Sequence, residues 1–176
     1  MDLETPHLIL TPMQPHHLAE LQALHNDPLV RAAIFHGIHQ SRADVAAKLA
    51  LFLQQWQQQG FGFWMVYEKT EAGLRCIGRA GLRAYDDTRH LEFGYVFGSA
   101  GAGRGLGPEA ARASIGHALA VTDAAIIVGL IAPGNHRAMA AATKLGFRYV
   151  EDRWRDGQRW HYLELTRAEF LQEPDA

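Results

Sequence analysis

Hydrophobic side chains recur every third or fourth residue in the first third of the chain, and this period predicts helices. The first helix is predicted over residues 16–25, and a short helical turn over 28–35. A longer helix is predicted to begin at Ser41, because Ser41-x-x-Asp44 has the form of a capping box, and to end at Gly60. This third of the chain is therefore expected to be mainly helical.

The period changes after Gly60, where hydrophobic and polar positions alternate as they do in strands. Segments 61–67, 74–82 and 91–97 are close enough in sequence to form an antiparallel meander. The other predicted elements are a strand over 7–11, Ala-rich helices over 109–120 and 137–145, a buried strand over 124–132, a hairpin that turns at Asp156-Gly157, and a short helix from Thr166-x-x-Glu169.

This order of elements predicts an α+β fold, an α/β sandwich in which helices cover both faces of a mixed central sheet. The chain has 176 residues, which is enough to bury a core of its own. We therefore expect a single domain over residues 1–176.

Composition narrows the classes of partner. The net charge of −2 and the pI of about 6.5 argue against a dedicated nucleic-acid binder, which needs a basic face for phosphates. Cys76 is the only cysteine, so a reducing compartment is favoured. The acidic start MDLETPHLIL lacks the positive charge of a signal peptide, and the apolar run 124–132 is too short to span a bilayer. We expect a cytoplasmic protein without nucleic-acid or membrane partners.

The segment GAGRGLGPEA (101–110) is the strongest candidate for a binding site. Glycine lets another molecule approach the main chain closely, and Gly103-Arg104-Gly105-Leu106-Gly107 would present successive N–H groups at a helix N-terminus. The helix dipole and the charge of Arg104 would favour a phosphate or pyrophosphate there. Pro108 is predicted at the first helical position.

Two other nucleotide motifs do not fit this segment. A Walker A loop would continue with Gly-Lys-Ser or Gly-Lys-Thr, and a dinucleotide fingerprint would follow a strand that opens a βαβ unit. Neither condition holds, because the preceding strand belongs to the meander. A flexible surface loop explains the glycines equally well when the segment is considered alone.

The flanking sequence indicates a family. LEFGYVFGSAGAGRGLGPEAARA (91–113) resembles, without a gap, the acetyl-CoA segment of the GNAT N-acetyltransferases, and NHRAMAAATKLGF (135–147) resembles that family's Asn-containing helix. The nearest branch is that of the ribosomal-protein N-terminal acetyltransferases (Rim type). The resemblance implies the acyl-CoA N-acyltransferase fold, with a mostly antiparallel sheet of about seven strands. It also implies acetyl-CoA as cosubstrate and no metal.

Four positions depart from the family pattern. Ala102 replaces a Gln, Arg or Trp ahead of the loop, and Pro108 replaces a threonine that can bond phosphate. Ala138 replaces a serine of the Asn helix. Ala142 stands near the place of a tyrosine thought to protonate the leaving thiolate. These departures are consistent with a second hypothesis, in which the protein binds acyl-CoA but does not catalyse acetyl transfer.

The resemblance assigns further roles in cofactor binding. Strands that correspond to 91–97 and 124–132 would splay apart, and pantetheine would pair with the exposed backbone near Val96 and Phe97. A backbone N–H of that strand would polarise the thioester carbonyl. Asn135 would hydrogen-bond the cofactor, although asparagine also suits a helix N-cap.

The general base is predicted to be Glu92, which could take the proton of the amine directly or through water. The alternative for Glu92 is a structural ion pair with Arg79 or Arg83. The alternative candidates for the general base are His90, His161 and Tyr162. No general acid is evident.

The acceptor is predicted to be a primary amine, and the pKa scale favours a protein N-terminal α-amine. An α-amine has a pKa of about 7.7–8.0, whereas that of lysine is near 10.4, so a weak base finds more neutral α-amine. A small-molecule amine, such as an antibiotic or polyamine, is the second possibility. His36-x-x-His39 lacks a third ligand and does not predict a metal site. The protein could be a monomer or a homodimer.

Overall fold

The computed structural model describes residues 1–86 and 88–172. The strands in these residues are β1 (Leu3–Glu4), β2 (Leu8–Pro12), β3 (Phe63–Thr70), β4 (Gly73–Ala84), β5 (Leu91–Phe97), β6 (Ile126–Ile131), β7 (Arg148–Arg155) and β8 (Gln158–Thr166). The α-helices are α1 (Leu18–Asn26), α2 (Pro28–Ile34), α3 (Arg42–Gln59), α4 (Leu106–Val121), α5 (His136–Lys144) and α6 (Arg167–Gln172), and a 3₁₀ turn over Pro15–His17 leads into α1.

All eight strands form one sheet in the order β1-β2-β3-β4-β5-β6-β8-β7. Every neighbouring pair is antiparallel except β5 and β6, which are parallel. The mixed, mostly antiparallel sheet confirms the predicted fold class. The additional strand is β1, which has only two residues and is too short to show an alternating pattern.

Helices cover both faces of the sheet, as predicted. On the first face, α1, α2 and α3 pack over a core that includes Leu21, Val30, Val45 and Met65. On the second face, α4 and α5 pack over a core that includes Ile115, Leu119, Ile127, Leu145 and Leu163. Because side chains alternate along each strand, neighbouring residues of β3, β4 and β5 lie on opposite faces, except at a β-bulge around Ile77 in β4.

The predicted turn and cap signals adopt the expected geometry. Asp44 N–H donates to the Ser41 hydroxyl at 3.1 Å, and Ser41 N–H donates to the Asp44 carboxylate at 3.0 Å, which completes the capping box. Gly60 ends α3 with φ of 71°. Asp156 and Gly157 turn the β7–β8 hairpin with φ of 52° and 73°. These positive angles are those of the tight hairpin turn that Asp-Gly predicts.

Helix α4 starts earlier than its sequence pattern indicated. It begins at Leu106 rather than at 109, so Pro108 occupies the third helical position and the expectation of the first position was wrong. The third N–H of a helix also lacks an intrahelical acceptor, and proline is tolerated there for the same physical reason. No helix within the described residues has the length and apolar character needed to cross a membrane.

Candidate functional site

A gap opens in the middle of the sheet where β5 and β6 separate. Their pairing is limited to residues 91–93 of β5 and 127–129 of β6. Beyond it, β6 remains paired with β8 through Ile131. Residues 94–97 of β5 therefore have β4 on one side and, among the described residues, no strand on the other.

The register of β5 decides which main-chain groups face this gap. Gly98 N–H donates to the Ile77 carbonyl of β4 at 2.9 Å. Hydrogen-bonding residues alternate along an antiparallel pair, and the β4–β5 register is uninterrupted. Val96 therefore directs its N–H and C=O toward β4, while those of Tyr95 and Phe97 point toward the gap. Tyr95 is a candidate that the sequence had not indicated.

The loop after β5 brings bare backbone to the N-terminus of α4. The N–H groups of Gly101 and Ala102 both donate to Gly98 O at 3.0 Å, which tightens the start of the loop. Gly103 and Gly105 then adopt left-handed φ angles of 81° and 77°, which disfavour any side chain. Within the described part of the chain, the N–H groups of 103–107 form no internal hydrogen bond of good geometry. These donors are available to a ligand.

Arg104, the predicted cation of the loop, is held by a carboxylate. Its Nη1 lies 2.5 Å from Glu68 Oε2 on β3, and the same oxygen accepts from Arg75 at 2.6 Å. Hydrogen bonds from Arg104 and Arg75 lower the pKa of Glu68 to about 2. The charge of Arg104 is therefore compensated.

A second arginine lies closer to the glycine backbone. A Cβ at Gly103 would stand 2.9 Å from Arg137 Nη2, so the guanidinium covers that glycine. Arg137 belongs to the first turn of α5 and forms no ion pair with a described carboxylate. Sequence reasoning missed Arg137, because only the packing of α5 beside α4 brings it to the loop.

Asn135 caps α5, which was one of its two predicted roles. Its Oδ1 accepts from Ala138 N–H at 3.1 Å, and no described residue accepts from its Nδ2. The amide nitrogen can still donate to a cofactor. Ala142 packs against the core of the second face. An alanine side chain has no proton to give to the leaving thiolate.

A cavity of about 430 Å³ lies on the first face, beside the gap and the end of α2. Segments that are distant in sequence line it. They include His36 after α2, Arg83 of β4, Glu92 and Gly94 of β5, and Arg155 and Trp160 of the β7–β8 hairpin. His36 has a φ of 52°, in the left-handed region that is uncommon outside glycine. This cavity is the candidate acceptor cleft.

Glu92 forms the ionic centre of the cleft. Its Oε1 accepts from Arg83 Nη2 at 2.6 Å, and its Oε2 accepts from Arg83 Nε at 3.1 Å and Arg155 Nη1 at 2.9 Å. The predicted ion-pair alternative is therefore present, with Arg83 rather than Arg79. Arg155 had no local sequence signal. A carboxylate offers about four acceptor positions, so one position of Glu92 remains open.

The three alternative candidates for the general base are not among the residues that line the cleft. Tyr162 is buried under the Arg153 guanidinium, 3.4 Å from the ring centre, and burial raises its pKa to about 12. His161 pairs with Asp152 at 2.6 Å. His90 has a buried Nδ1 without a partner among the described residues.

The other singled-out side chains are structural or peripheral. Trp56 and Trp64 pack edge to face, with ring centres 4.6 Å apart. No group of three or more His, Cys, Asp or Glu in residues 1–86 and 88–172 is placed to hold a metal.

The loop after β5 is also tied to the α1–α2 junction. Asp27 accepts from Ser99 N–H at 2.9 Å and from Leu29 N–H at 2.9 Å. Burial opposes ionisation of Asp27, but hydrogen bonds from Ser99 and the α2 backbone lower its pKa. One carboxylate thus connects the start of the glycine loop to the helices that border the cleft.

Comparison with protein families gives one match of broad coverage. Residues 7–148 match the model of the acetyltransferase (GNAT) domain. No curated protein shows significant sequence similarity to the chain.

Solved structures with this fold include several acetyltransferases. A GnaT-family acetyltransferase from Bordetella pertussis is 25% identical, with a TM-score of 0.77 over 93% of this chain and 98% of that one. An acetyltransferase from Agrobacterium tumefaciens is 22% identical, with a TM-score of 0.76 over 95% of each chain. The aminoglycoside acetyltransferase AAC(6')-Ib, in complex with paromomycin and acetyl-CoA, is 21% identical, with a TM-score of 0.78 over 96% of this chain and 99% of that one.

Proposed function

The chain belongs to the GNAT acetyltransferase family, and from this premise we propose that it moves the acetyl group of acetyl-CoA to a protein N-terminal α-amine. One observation carries the proposal: the unpaired edge of β5 at 94–97 runs directly into the free N–H groups of 103–107. An extended thioester with a diphosphate at one end needs this combination of an open strand edge and an anion site. Glu92-Phe93-Gly94-Tyr95 supports the Rim-type branch.

Cofactor binding is assigned to main-chain groups first. Pantetheine pairs with the open edge at Tyr95 and Phe97, next to Val96, and the diphosphate accepts from the N–H groups of Gly103, Arg104, Gly105, Leu106 and Gly107. Because Glu68 compensates the charge of Arg104, the positive charge for the diphosphate comes from Arg137. Asn135 donates its free Nδ2.

The reaction proceeds between the two sides of the sheet. The amine reaches the thioester carbonyl from the cleft on the first face, while an N–H of the open β5 edge polarises the carbonyl oxygen. The amine nitrogen forms the new C–N bond, the C–S bond breaks, and the thiolate departs. A thiol has a pKa near 8.5, so departure at neutral pH does not require a strong acid.

Glu92 takes the proton of the amine in this proposal. It lines the cleft beside Gly94, and one acceptor position of its carboxylate is open. Arg83 and Arg155 already donate to the other acceptor positions of Glu92. An α-amine is the better acceptor for this site than lysine, because a useful fraction of it is already neutral near pH 7.

The second candidate acceptor is a small-molecule amine. It is favoured by the likeness of the fold to AAC(6')-Ib, which binds aminoglycosides. Asp156 of the hairpin turn is exposed and lines the cleft, so it can accept from such an amine, whereas Glu92 is only 10% exposed behind Arg83 and Arg155.

The test measures thiol release from acetyl-CoA with matched amines. The panel holds a lysine-free peptide with a free α-amine, the same peptide with a blocked N-terminus and one internal lysine, kanamycin and spermidine. We expect the α-amine peptide to react at least about tenfold faster than the lysine peptide, because more of it is neutral.

Each other outcome has a defined meaning. Faster transfer to lysine contradicts the α-amine proposal, and transfer to kanamycin or spermidine alone supports the second candidate. A protein that CoA stabilises against heat, but that releases no thiol above background, is a non-catalytic acyl-CoA-binding module.

We also propose that residues 1–176 act as one domain, since a single sheet runs through the described residues. Residues 173–176 of that domain lie outside them. We place the enzyme in the cytoplasm because its one cysteine, Cys76, is a free thiol. A monomer or a homodimer is consistent with this function, and size-exclusion chromatography with light scattering distinguishes them.

A further inference from the structure

Three cations lie on the first face, and we call them the basic cluster: Lys48 of α3, and Arg79 and Arg83 of β4. Of the three, Arg83 lines the acceptor cleft. Arg79 and Arg83 are four residues apart on one strand, so they share a face. The Arg79 guanidinium lies 5.5 Å from the ring centre of Phe52 and 5.1 Å from that of Phe63. Lys48 Nζ lies 5.9 Å from the Phe52 ring centre. Arg79 therefore lies near both rings of the Phe52–Phe63 pair, and Lys48 lies near one of them.

Two members of the basic cluster have no carboxylate partner among the described residues. Arg79 is only 7% exposed, and its Nε donates to His25 Nε2 at 3.2 Å. Burial, and then the charge of Arg79, lower the pKa of His25 to about 3, so the ring is neutral and accepts this bond. Lys48 is half-buried, and burial together with Arg79 and Arg83 lowers its pKa. Only Arg83 has an acid, Glu92.

This arrangement costs stability in the absence of a ligand. Burying unpaired charge is unfavourable, and a cation near an aromatic ring recovers only about 0.5–2 kcal/mol. An apolar residue at Arg79 would fill the space between Phe52 and Phe63 without that penalty. A bound oxyanion would compensate Lys48 and Arg79 together.

The basic cluster borders the point where the acetyl group is delivered. Arg79 pairs with Val96 across the β4–β5 ladder, and Arg83 pairs with Glu92. Neighbouring strands lie about 4.8 Å apart, so the cluster is one strand away from the open edge at 94–97. An anion bound there would sit a few bonds away from an amine that attacks at this edge.

We propose that the acceptor amine carries an oxyanion, a carboxylate or a phosphate, a few bonds from the reacting nitrogen, and that Lys48, Arg79 and Arg83 bind it. This proposal rests on the proposed function and specifies its substrate. In a peptide acceptor, the oxyanion belongs to the side chain of the second residue. Arg83 and Lys48, which are the more exposed members, meet it first, and Arg79 lies behind them.

The experiment compares peptides that share their N-terminal residue and differ in the second, which is glutamate, phosphoserine, glutamine or lysine. We expect kcat/KM for the glutamate peptide to exceed that for the glutamine peptide about tenfold, the value of one charge-assisted hydrogen bond. The lysine peptide is slowest. A higher rate with phosphoserine than with glutamate identifies phosphate as the better oxyanion.

The matched variants are Lys48→Met and Arg42→Met, which remove one positive charge each from α3. Lys48→Met should lower the glutamate-to-glutamine ratio several-fold, because one of the three cations is lost, whereas Arg42→Met, at the exposed start of α3, should leave the ratio as in the wild type. Equal rates for the two peptides in the wild type, or an unchanged ratio in Lys48→Met, overturns the proposal.

A binding measurement separates this proposal from the proposed function. If no amine is acetylated, the proposed function fails, and the basic cluster is then judged by melting temperature with N-acetylated peptides. Greater stabilisation by the glutamate peptide than by the glutamine peptide, lost in Lys48→Met, supports the oxyanion site. Equal stabilisation by both peptides overturns it.

Discussion

Two buried carboxylates, one on each face of the sheet, have nearly the same ionic surroundings. Glu68 on the second face is 9% exposed and is bonded by Arg75 and Arg104. Glu92 on the first face is 10% exposed and is bonded by Arg83 and Arg155. In both cases, each arginine comes to within 3 Å of the carboxylate.

The two sites differ in what borders them. Both arginines of Glu68 converge on the same oxygen, and Glu68 lines neither of the cavities found beside the hairpin. Glu92 spreads its bonds over both oxygens and lines the cleft. An ion pair by itself therefore does not identify a functional residue. We expect Glu68 to hold the cofactor loop in place and Glu92 to meet the substrate.

The largest expected effect separates these two roles directly. Glu92→Gln keeps the shape of the side chain but removes its ability to take a proton. We expect kcat for the preferred amine to fall about 100-fold, the lower range for loss of a general base, and KM for acetyl-CoA to change less than about twofold. Steady-state thiol release measures both quantities.

Glu68→Gln is the control for that experiment, because it makes the same change in the same kind of ion pair. Its kcat should remain within about threefold of the wild type, since no reacting atom lies near it. If Glu92→Gln also lowers kcat less than about threefold, and mainly lowers the melting temperature, Glu92 is a structural partner of Arg83 and Arg155 and the base lies elsewhere.

A smaller effect is expected on the cofactor side, where Glu68 compensates Arg104. Arg137→Met should raise KM for acetyl-CoA about fivefold, because an exposed guanidinium loses one charge-assisted bond to phosphate. Arg104→Met should raise it less than about twofold. Thiol release at varied acetyl-CoA gives both values, and the increase for Arg137→Met should shrink at high salt.

The reverse order of the two arginines would contradict this account. A larger increase in KM for Arg104→Met than for Arg137→Met would mean that Arg104 leaves Glu68 when the cofactor binds. The double variant then distinguishes the alternatives, since additive effects indicate two independent contacts with phosphate.

The cofactor side was predictable from sequence because it is built from contiguous backbone. Gly103, Gly105 and the start of α4 lie within a few residues, and the family resemblance of the flanking sequence favours an anion site over a flexible loop. The strand β5 was predicted with its observed bounds, Leu91–Phe97. Arg137 and the open main-chain groups of Tyr95 were missed, since neither packing between helices nor the hydrogen-bond register of β5 carries a local signal.

The acceptor side was far less predictable because it is assembled from distant segments. Glu92 was identified, but Arg155 reaches it from a hairpin strand that follows far later in the chain. The basic cluster likewise unites α3 with β4. Alternating patterns place Arg79 and Arg83 on one face, yet they do not reveal which helix covers that face or whether a carboxylate comes with it.

The smallest expected effect concerns stability, and it depends on pH in a direction that the Glu68 site fixes. Hydrogen bonds from Arg104 and Arg75 lower the pKa of Glu68 from 4.5 to about 2 in the folded protein. A carboxyl with a depressed folded pKa stabilises the fold fully above its unfolded pKa, and the contribution is lost as pH falls toward the folded pKa.

Glu68→Gln should therefore lower the free energy of unfolding near neutral pH, and the difference from the wild type should shrink between about pH 4.5 and pH 2. Urea unfolding across that range measures it, with Glu71→Gln in the exposed β3–β4 turn as the charge-matched control. A difference that stays constant through this range would mean that Glu68 acts through packing rather than through its charge. Arg104 would then be held by the shape of the loop, and the resemblance between the two carboxylates would be one of geometry alone.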